Sequence, residues 1–556
     1  MIGRPTGFDV VILGGGLAGL TAAVQLKQLR PKTTIAVVDK RLRPAPLAAY
    51  KVGESVAEIG AHYLRDMVGL EEHLDEHHLR KFALRIFSSA GGNEDIARRP
   101  EVGLGRVSPL RTYQLDRGSL ENALADQAAD LGVELLDGTT VTDVTLGPSL
   151  HTLEMRQGTR TRTLDAKWVM DASGRAGLLR RKLDLTVDIP HDVNAAWFRL
   201  PDRLAVDDWS EDELWQARVP GRERWRSTCH LVGRGYWIWL IALPGGQHSV
   251  GVVADPAHVP FERIRRYDVL REWAEENEPQ LASKLPSSAD DLMDFGKVKD
   301  YAFGVRRGIS PQRWCLTGEA ALFLDPLYAT GTDFIAIANT LGTRMIVAAL
   351  DDEPEQRRRL KAYNAYLLGQ FLSWGPAFMG QYEIFGSAQA TAAKVLWDNL
   401  SYFTYPVLMF NQHCILDYDF VAEARSIFQP HFSMNVEMQR FFREWSCLDD
   451  EHAPESLQAA GFATGTDELM GSLFATAASD LSQAEVREAL HTSLGWLRSM
   501  AAELTERMAD ATKGRITRPR QHWGQSSHAD PVVNWVPYEA RTGAPVPQPA
   551  GAWMLR

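Results

Sequence analysis

The sequence predicts an α/β chain, α+β overall. A doubly wound parallel-sheet domain comes first, an antiparallel sheet is inserted into it, and a helical C-terminal region follows. Three observations carry this. An apolar run at Asp9–Leu13 leads through Gly14, Gly16 and Gly19 into a helical pattern ending near Leu26. Long alternating segments begin at Asn194. From Asp333 to about Met508 the apolar spacing is mostly helical. The expected boundaries are 1–190 with 300–345 for the first domain and 191–299 for the inserted sheet. The helical region covers 346–512, and 513–556 forms an extended tail rich in Pro and Gly.

The first stretch has a physical reading. Gly14 permits a tight turn, Gly16 lets backbone approach a pyrophosphate, and Gly19 lets helix and strand pack closely. The helix N-terminus presents free N–H groups to phosphate charge. Thr33–Asp39 reads as a second strand, and Asp39 falls 20 residues after Gly19, where a ribose-binding acid belongs. Together these specify a Rossmann-like dinucleotide site.

Length and composition narrow the class. At 556 residues the chain exceeds one core. A net charge of −11 argues against binding driven by phosphate neutralisation of nucleic acid. Cys229, Cys315, Cys414 and Cys447 are scattered without a C-x-x-C pair, so no metal site is expected and a reducing cytoplasm suits them. The first apolar run is the nucleotide-binding strand, which leaves no secretory signal. The most apolar long window, Phe334–Leu350, is broken by Asn339, Thr340, Thr343 and Arg344, so no membrane span is expected.

In chain order, Lys51-Val-Gly53-Glu54-Ser55 follows the second strand. Leu64–Leu79 has helical spacing, and Lys81–Phe87 reads as a strand with Phe82, Leu84 and Ile86 on one face. Tyr113–Leu124 is a strand end entering a helix, with Asp116 and Arg117 at its start. Val133–Leu136 and Val141–Leu146 return to the first sheet, and Leu153–Leu164 forms a hairpin. Trp168–Arg175 is a strand ending in Asp171 and Gly174. Thr228–Val232, Tyr236–Leu243 and His248–Ala254 make a three-strand meander. Residues 261–285 read as an amphipathic helix. The chain then returns through Gly318-Glu319 to Asp325-Pro326.

The Gly14–Asp39 unit, Asp171–Gly174 and Gly318–Pro326 resemble the three FAD-binding motifs of flavoprotein monooxygenases. The usual Gly-Asp pair is Gly318-Glu319 here, which leaves Asp325 as the candidate for the ribityl contact. No second G-x-G-x-x-G with its acid is present, so the resemblance implies FADH2 delivered by a partner flavin reductase.

Trp237-Ile238-Trp239-Leu240-Ile241 matches the W-x-W-x-I signature of flavin-dependent halogenases, and the chain resembles that family, the "tryptophan halogenase" type. Alternation along a strand puts Trp237, Trp239 and Ile241 on one face. The family usually continues with Pro, where this chain has Ala242. In the family this wall separates flavin from substrate, a lysine after the G-E-S loop captures hypohalous acid, and a Thr-Gly pair holds halide. The matching positions are Lys81, after Gly53-Glu54-Ser55, and Thr330-Gly331. Lys51 lies before the loop and competes with Lys81. Tyr328 stands where tryptophan-specific members carry a Glu, which points away from free tryptophan.

The resemblance thus implies an oxidoreductase of secondary metabolism. It chlorinates or brominates an electron-rich phenol, pyrrole or indole, free or carrier-bound, through a flavin hydroperoxide, HOX and Lys81. The implied cofactor contacts are Gly14, Gly16, Gly19, Asp39, Ser55, Arg117, Asp171, Gly174, Asp325 and Pro326. A hydroxylase or dehydrogenase of the same fold is the second reading, favoured by Ala242 and Glu319. Trp374, Phe378, Tyr382, Phe385, Tyr402, Tyr405 and Phe410 are candidates to line the substrate pocket from the helical region.

Overall fold

The structure is a computed structural model that describes residues 7–47, 51–89, 91–452 and 466–511, with two short strands at Val533–Asn534 and Met554–Leu555. The expected tail, 513–556, otherwise lies outside the described residues.

Gly7–Leu13 is the centre of the first sheet. It pairs in parallel with Ile35–Val38 on one side and with Arg160–Asp171 on the other. Parallel strands buried on both faces read as unbroken apolar runs, as Val10–Leu13 and Ile35–Val38 do. The sheet continues to Glu134–Leu136 at one edge and through Trp314–Leu316 to Ile309–Ser310 at the other. The hairpin His151–Gln157/Arg160–Asp171 hangs from this sheet. The helix Leu17–Leu29 begins directly after the glycine turn. Gly14 has φ +106°, and a Cβ at Gly19 would overlap the Gly14 carbonyl oxygen, so only glycine brings helix and strand this close.

The second sheet has seven strands in the order Asp294–Val298, Asn194–Leu200, His248–Ala254, Tyr236–Ala242, Thr228–Gly233, Leu84–Ser88, Glu101–Gly103. Its middle is the antiparallel meander that the alternation predicts. One difference is topological. Leu84–Ser88 runs parallel to Thr228–Gly233 and Glu101–Gly103 extends it, so residues 84–103 contribute strands to the inserted sheet. The strand also starts at Leu84, and Lys81 instead lies in the extended segment before it. Residues 261–285 are not one helix. They form a 3-10 turn, then Tyr267–Asn277, then Pro279–Ala282, because Pro279 cannot continue the preceding helix.

Every residue of Tyr236–Ala242 is buried, and its two faces meet different layers. Trp237, Trp239 and Ile241 pack with the core shared by the first sheet. Tyr236, Ile238 and Leu240 pack outward with Tyr267, Leu270 and Trp273. The helical region covers the remaining side through Thr330–Leu350, Gln356–Phe378, Ala388–Tyr402 and Tyr418–His452. Leu327–Leu350 is apolar and long enough to cross a membrane, but 78% of its most apolar window is buried within the fold.

Candidate functional site: two cavities joined at Lys81

The C-terminal ends of the parallel strands open onto a cavity of about 790 Å3. Open α/β sheets bind ligands at this edge, where loops diverge. Leu13, Gly14 and Gly16 line it from the first strand, Val38 and Asp39 from the second, and Ala172, Ser173 and Gly174 from the third. Gly318, Glu319, Leu324 and Pro326 close it from the returning segment. A Cβ at Gly16 would have only Arg41 and Glu121 side-chain atoms nearby, at 3.6 and 4.0 Å, so the loop forms a shallow open cradle. Arg41 and Arg117 supply positive charge around it. The Arg117 Nε is buried without a hydrogen-bond partner. A glycine cradle at a helix N-terminus, ringed by cations, fits a dinucleotide pyrophosphate. These residues fit FAD.

The predicted cofactor residues divide into two groups. Gly14, Gly16, Asp39, Ser55, Arg117, Gly174 and Pro326 line the cavity. Gly19 acts one layer back, in helix packing. Asp39 holds the loop as well, because its Oδ2 accepts from the Gly15 N–H at 2.7 Å.

Two acids do not reach the cavity wall, which corrects the expected contacts. Asp171 is fully buried and accepts from the N–H groups of Ser173 at 3.0 Å and Leu179 at 2.7 Å, so it shapes the Ala172–Gly174 turn. Asp325 is turned inward. Its Oδ2 accepts from the Tyr382 hydroxyl at 2.6 Å and lies 2.6 Å from His191 Nε2, while Oδ1 accepts from the Leu327 N–H. That carboxylate does not line the cavity. Glu319 does reach the cavity, where it pairs with Arg175 at 3.1 Å.

Trp237, Trp239 and Ile241 form one wall of the cavity. Both indoles are anchored: Trp237 Nε1 donates to Tyr382 Oη at 2.8 Å, and Trp239 Nε1 donates to Ser249 Oγ at 3.1 Å. Gly251, opposite Trp239, leaves room for that ring, since a Cβ there would overlap it. The Trp237–Tyr382–Asp325 chain therefore ties the wall to the segment before Thr330.

That segment is strained. Tyr328 and Ala329 have φ of +67° and +60°, two successive non-glycine residues in the left-handed region. They turn the chain so that the helix Thr330–Leu350 starts at the cavity, with Thr330, Gly331 and Thr332 lining it. The Thr330 hydroxyl donates to the Asp325 carbonyl at 3.0 Å, and a Cβ at Gly331 would meet nothing within 4 Å. The first N–H groups of a helix have no partner within it.

A second cavity, about 190 Å3, adjoins the first. Lys81, Leu84, Tyr328 and Thr330 line both. Lys81 is 6% exposed, and its Nζ donates to the Val56 carbonyl at 3.0 Å and to Ser55 Oγ at 3.2 Å. Burial pushes its pKa down, and the Glu58 and Asp333 carboxyls pull it back up. Lys51 borders only the first cavity and pairs with Glu121. Of the candidate aromatics, Trp374, Phe378, Tyr402 and Tyr405 line the second cavity, whereas Tyr382, Phe385 and Phe410 do not.

No sequence pattern pointed to Glu58, Asp333 or His191 in this site, and Tyr402 and Tyr382 were expected only as pocket aromatics, not as hydrogen-bond partners of Asp333 and Asp325. Asp333 accepts from the Gly60 N–H and from Tyr402 Oη, both at 2.8 Å. Burial raises the Glu58 pKa, against the attraction of Lys81. Glu58 stands four residues after Glu54, the one local signal available.

Residues 7–234 match the FAD binding domain family. The flavin-dependent halogenase chlA of Dictyostelium discoideum is 25% identical over 491 residues, covering 82% of this chain and 78% of that protein. The 1H-pyrrole-2-carbonyl-[peptidyl-carrier protein] chlorinase of Pseudomonas fluorescens is 25% identical over 388 residues, covering 66% and 82%. Among solved structures, halogenase PltM in complex with phloroglucinol and FAD superposes with a TM-score of 0.62 at 15% identity, over 89% of this chain and 96% of that one. Fold and site define an FAD-binding oxidoreductase with a second, aromatic-lined chamber. Within that class the chain is similar to the flavin-dependent halogenases along most of its length.

Proposed function

We propose that the protein halogenates an electron-rich aromatic compound, using FAD in its reduced form, O2 and chloride or bromide. One observation carries this reading: the buried Lys81 ammonium stands where the FAD cavity meets the aromatic-lined cavity. When bound, reduced FAD with O2 supplies the two-electron oxidation of halide to hypohalous acid. The chain's own groups do the rest. The N–H groups of Thr330 and Gly331 hold the halide, favoured by the positive end of the helix. Trp237, Trp239 and Ile241 exclude water from one wall. Lys81 holds the hypohalous acid by hydrogen bonding and presents its electrophilic halogen in the second cavity. A ring C–H becomes C–halogen there as the O–halogen bond breaks, and the ring proton leaves with the released hydroxide as water.

A separate flavin reductase is the proposed source of reduced flavin, since the sequence carries one dinucleotide fingerprint only. All four cysteines are free thiols, which suits a reducing cytoplasm. The pyrrole-carrier relatives support an aromatic substrate that is free or carrier-bound. The test is to supply the protein with FAD, a flavin reductase, NADH, O2 and bromide, and to follow a phenol and an indole by mass spectrometry. Brominated product that depends on bromide supports the reading. Hydroxylated product indifferent to halide would replace it with the hydroxylase alternative.

A further inference from the structure

The second cavity is mostly apolar, but three of the helices that enclose it each bring to its lining a residue with a buried polar atom that has no partner among the described residues. Gln370, from Gln356–Phe378, is 2% exposed and its Oε1 has no partner. Ser401, from Ala388–Tyr402, has an unpartnered Oγ. His431, from Tyr418–His452, is 6% exposed, and neither Nδ1 nor Nε2 has a partner. All three line this cavity, and none lines the FAD cavity. Buried polar groups are ordinarily paired, and each left unpaired costs free energy. Three orphans converging on one apolar chamber mark a binding surface for a ligand with polar edges.

The charges of the chamber define that ligand further. The Asp398 carboxylate is fully engaged by Lys394 Nζ at 2.5 Å, Gln439 Nε2 at 2.6 Å and Tyr328 Oη at 2.9 Å. Glu58, which lines the second cavity only, and Lys81, which lines both, offset one another. Burial pushes His431 down to about 4, so its imidazole is neutral near pH 7 and offers one donor and one acceptor. Its ring stacks on Tyr405 at 6.4 Å between centroids. Among the described residues lining the chamber no uncompensated charge remains for an ionised substrate, and burying one there would be costly.

We infer that His431, with Gln370 and Ser401, is the specificity-determining set of the second cavity, and that it selects a neutral aromatic bearing free hydroxyl groups. A hydroxyl both donates and accepts, which matches His431 and Ser401 together with the accepting Gln370 carbonyl. The same hydroxyl enriches the ring for attack by an electrophilic halogen. This rests on the halogenase reading for the reaction, but the recognition itself is measurable without turnover.

The test is calorimetric titration of the FAD-loaded protein with resorcinol and with 1,3-dimethoxybenzene, which keeps the ring and loses both donors. Wild type binds resorcinol at least ~10-fold more tightly, because a site built to hydrogen-bond a hydroxyl rejects an analogue without it. His431→Phe brings the two affinities within about threefold. His431→Asn, which keeps a donor and an acceptor, restores part of the preference and carries the test if the Phe variant fails to fold. The inference is overturned if wild type binds neither probe, if it binds both equally, or if both variants keep the full preference. Selective binding without any bromination would leave the recognition standing and sink the halogenase reading instead.

Discussion

Lys81 Nζ donates to Ser55 Oγ at 3.2 Å, and Ser55 Oγ in turn shares a hydrogen bond with Thr228 Oγ1 at 2.8 Å. The lysine is thus fixed between the G-E-S loop and the inserted sheet. Lys81→Met keeps the apolar stem and removes the ammonium. Bromination should fall by more than ~100-fold, the scale of losing a positioned proton donor or electrostatic group. FAD affinity, followed by flavin fluorescence, should stay within about threefold. Retained bromination would remove Lys81 from the chemistry.

Asp325 and Tyr382 support the tryptophan wall. The Tyr382 hydroxyl accepts from Trp237 and donates to Asp325, so Tyr382→Phe leaves a buried indole N–H and one carboxylate oxygen short of partners. The expected cost is about 1–3 kcal/mol of stability, read by urea denaturation. Because Asp325 lies behind the cavity wall, this variant should bind FAD nearly as well as wild type once folded. A large selective loss of FAD affinity at unchanged stability would return Asp325 to the cofactor contacts.

The glycine fingerprint, Asp39 and the tryptophan face were legible because each is a local pattern. Strand alternation alone puts Trp237, Trp239 and Ile241 together, and turn chemistry alone specifies Gly14. The surroundings of Lys81 were not legible. Its partners come from the Ser55–Glu58 loop and from Asp333 in a distant helix, and no periodicity links them. The placement of Leu84–Ser88 was hidden for the same reason, since its parallel partner Thr228–Gly233 is remote in sequence. Asp171 and Asp325 mislead in the opposite sense. Their motifs are real, but nearby donors hold each carboxylate inside the fold: backbone N–H groups for Asp171, and the Tyr382 hydroxyl, His191 and the Leu327 N–H for Asp325.

Gly331 tests the halide site without disturbing the fold. A Cβ there would meet nothing within 4 Å, and the residue sits in the first turn of a helix, where a small side chain is tolerated. Gly331→Val should fold with a melting temperature within a few degrees of wild type. Its branched side chain would crowd the space beside the first-turn N–H groups. The KM for bromide should rise about 10-fold or more while FAD binding changes little. An unchanged halide KM would place the anion elsewhere.

Asp333 makes stability depend on pH. Burial lifts its carboxyl from 3.8 to about 8; repulsion from Glu58 adds to this, and the Tyr402 and Gly60 hydrogen bonds with the charge of Lys81 oppose it. The folded protein therefore holds a proton between about pH 4 and pH 8 that the unfolded chain has released. The sign follows: this contribution is complete below about pH 4 and is lost as pH rises towards 8. Asp333→Asn imitates the protonated form, keeps an acceptor for the Gly60 N–H and cannot ionise. Denaturation midpoints for wild type should fall from pH 5 to pH 8 by more than those of the variant, a difference of up to a few kcal/mol. Parallel slopes for the two proteins would mean that Asp333 is ionised throughout, with Lys81 as its standing counter-ion.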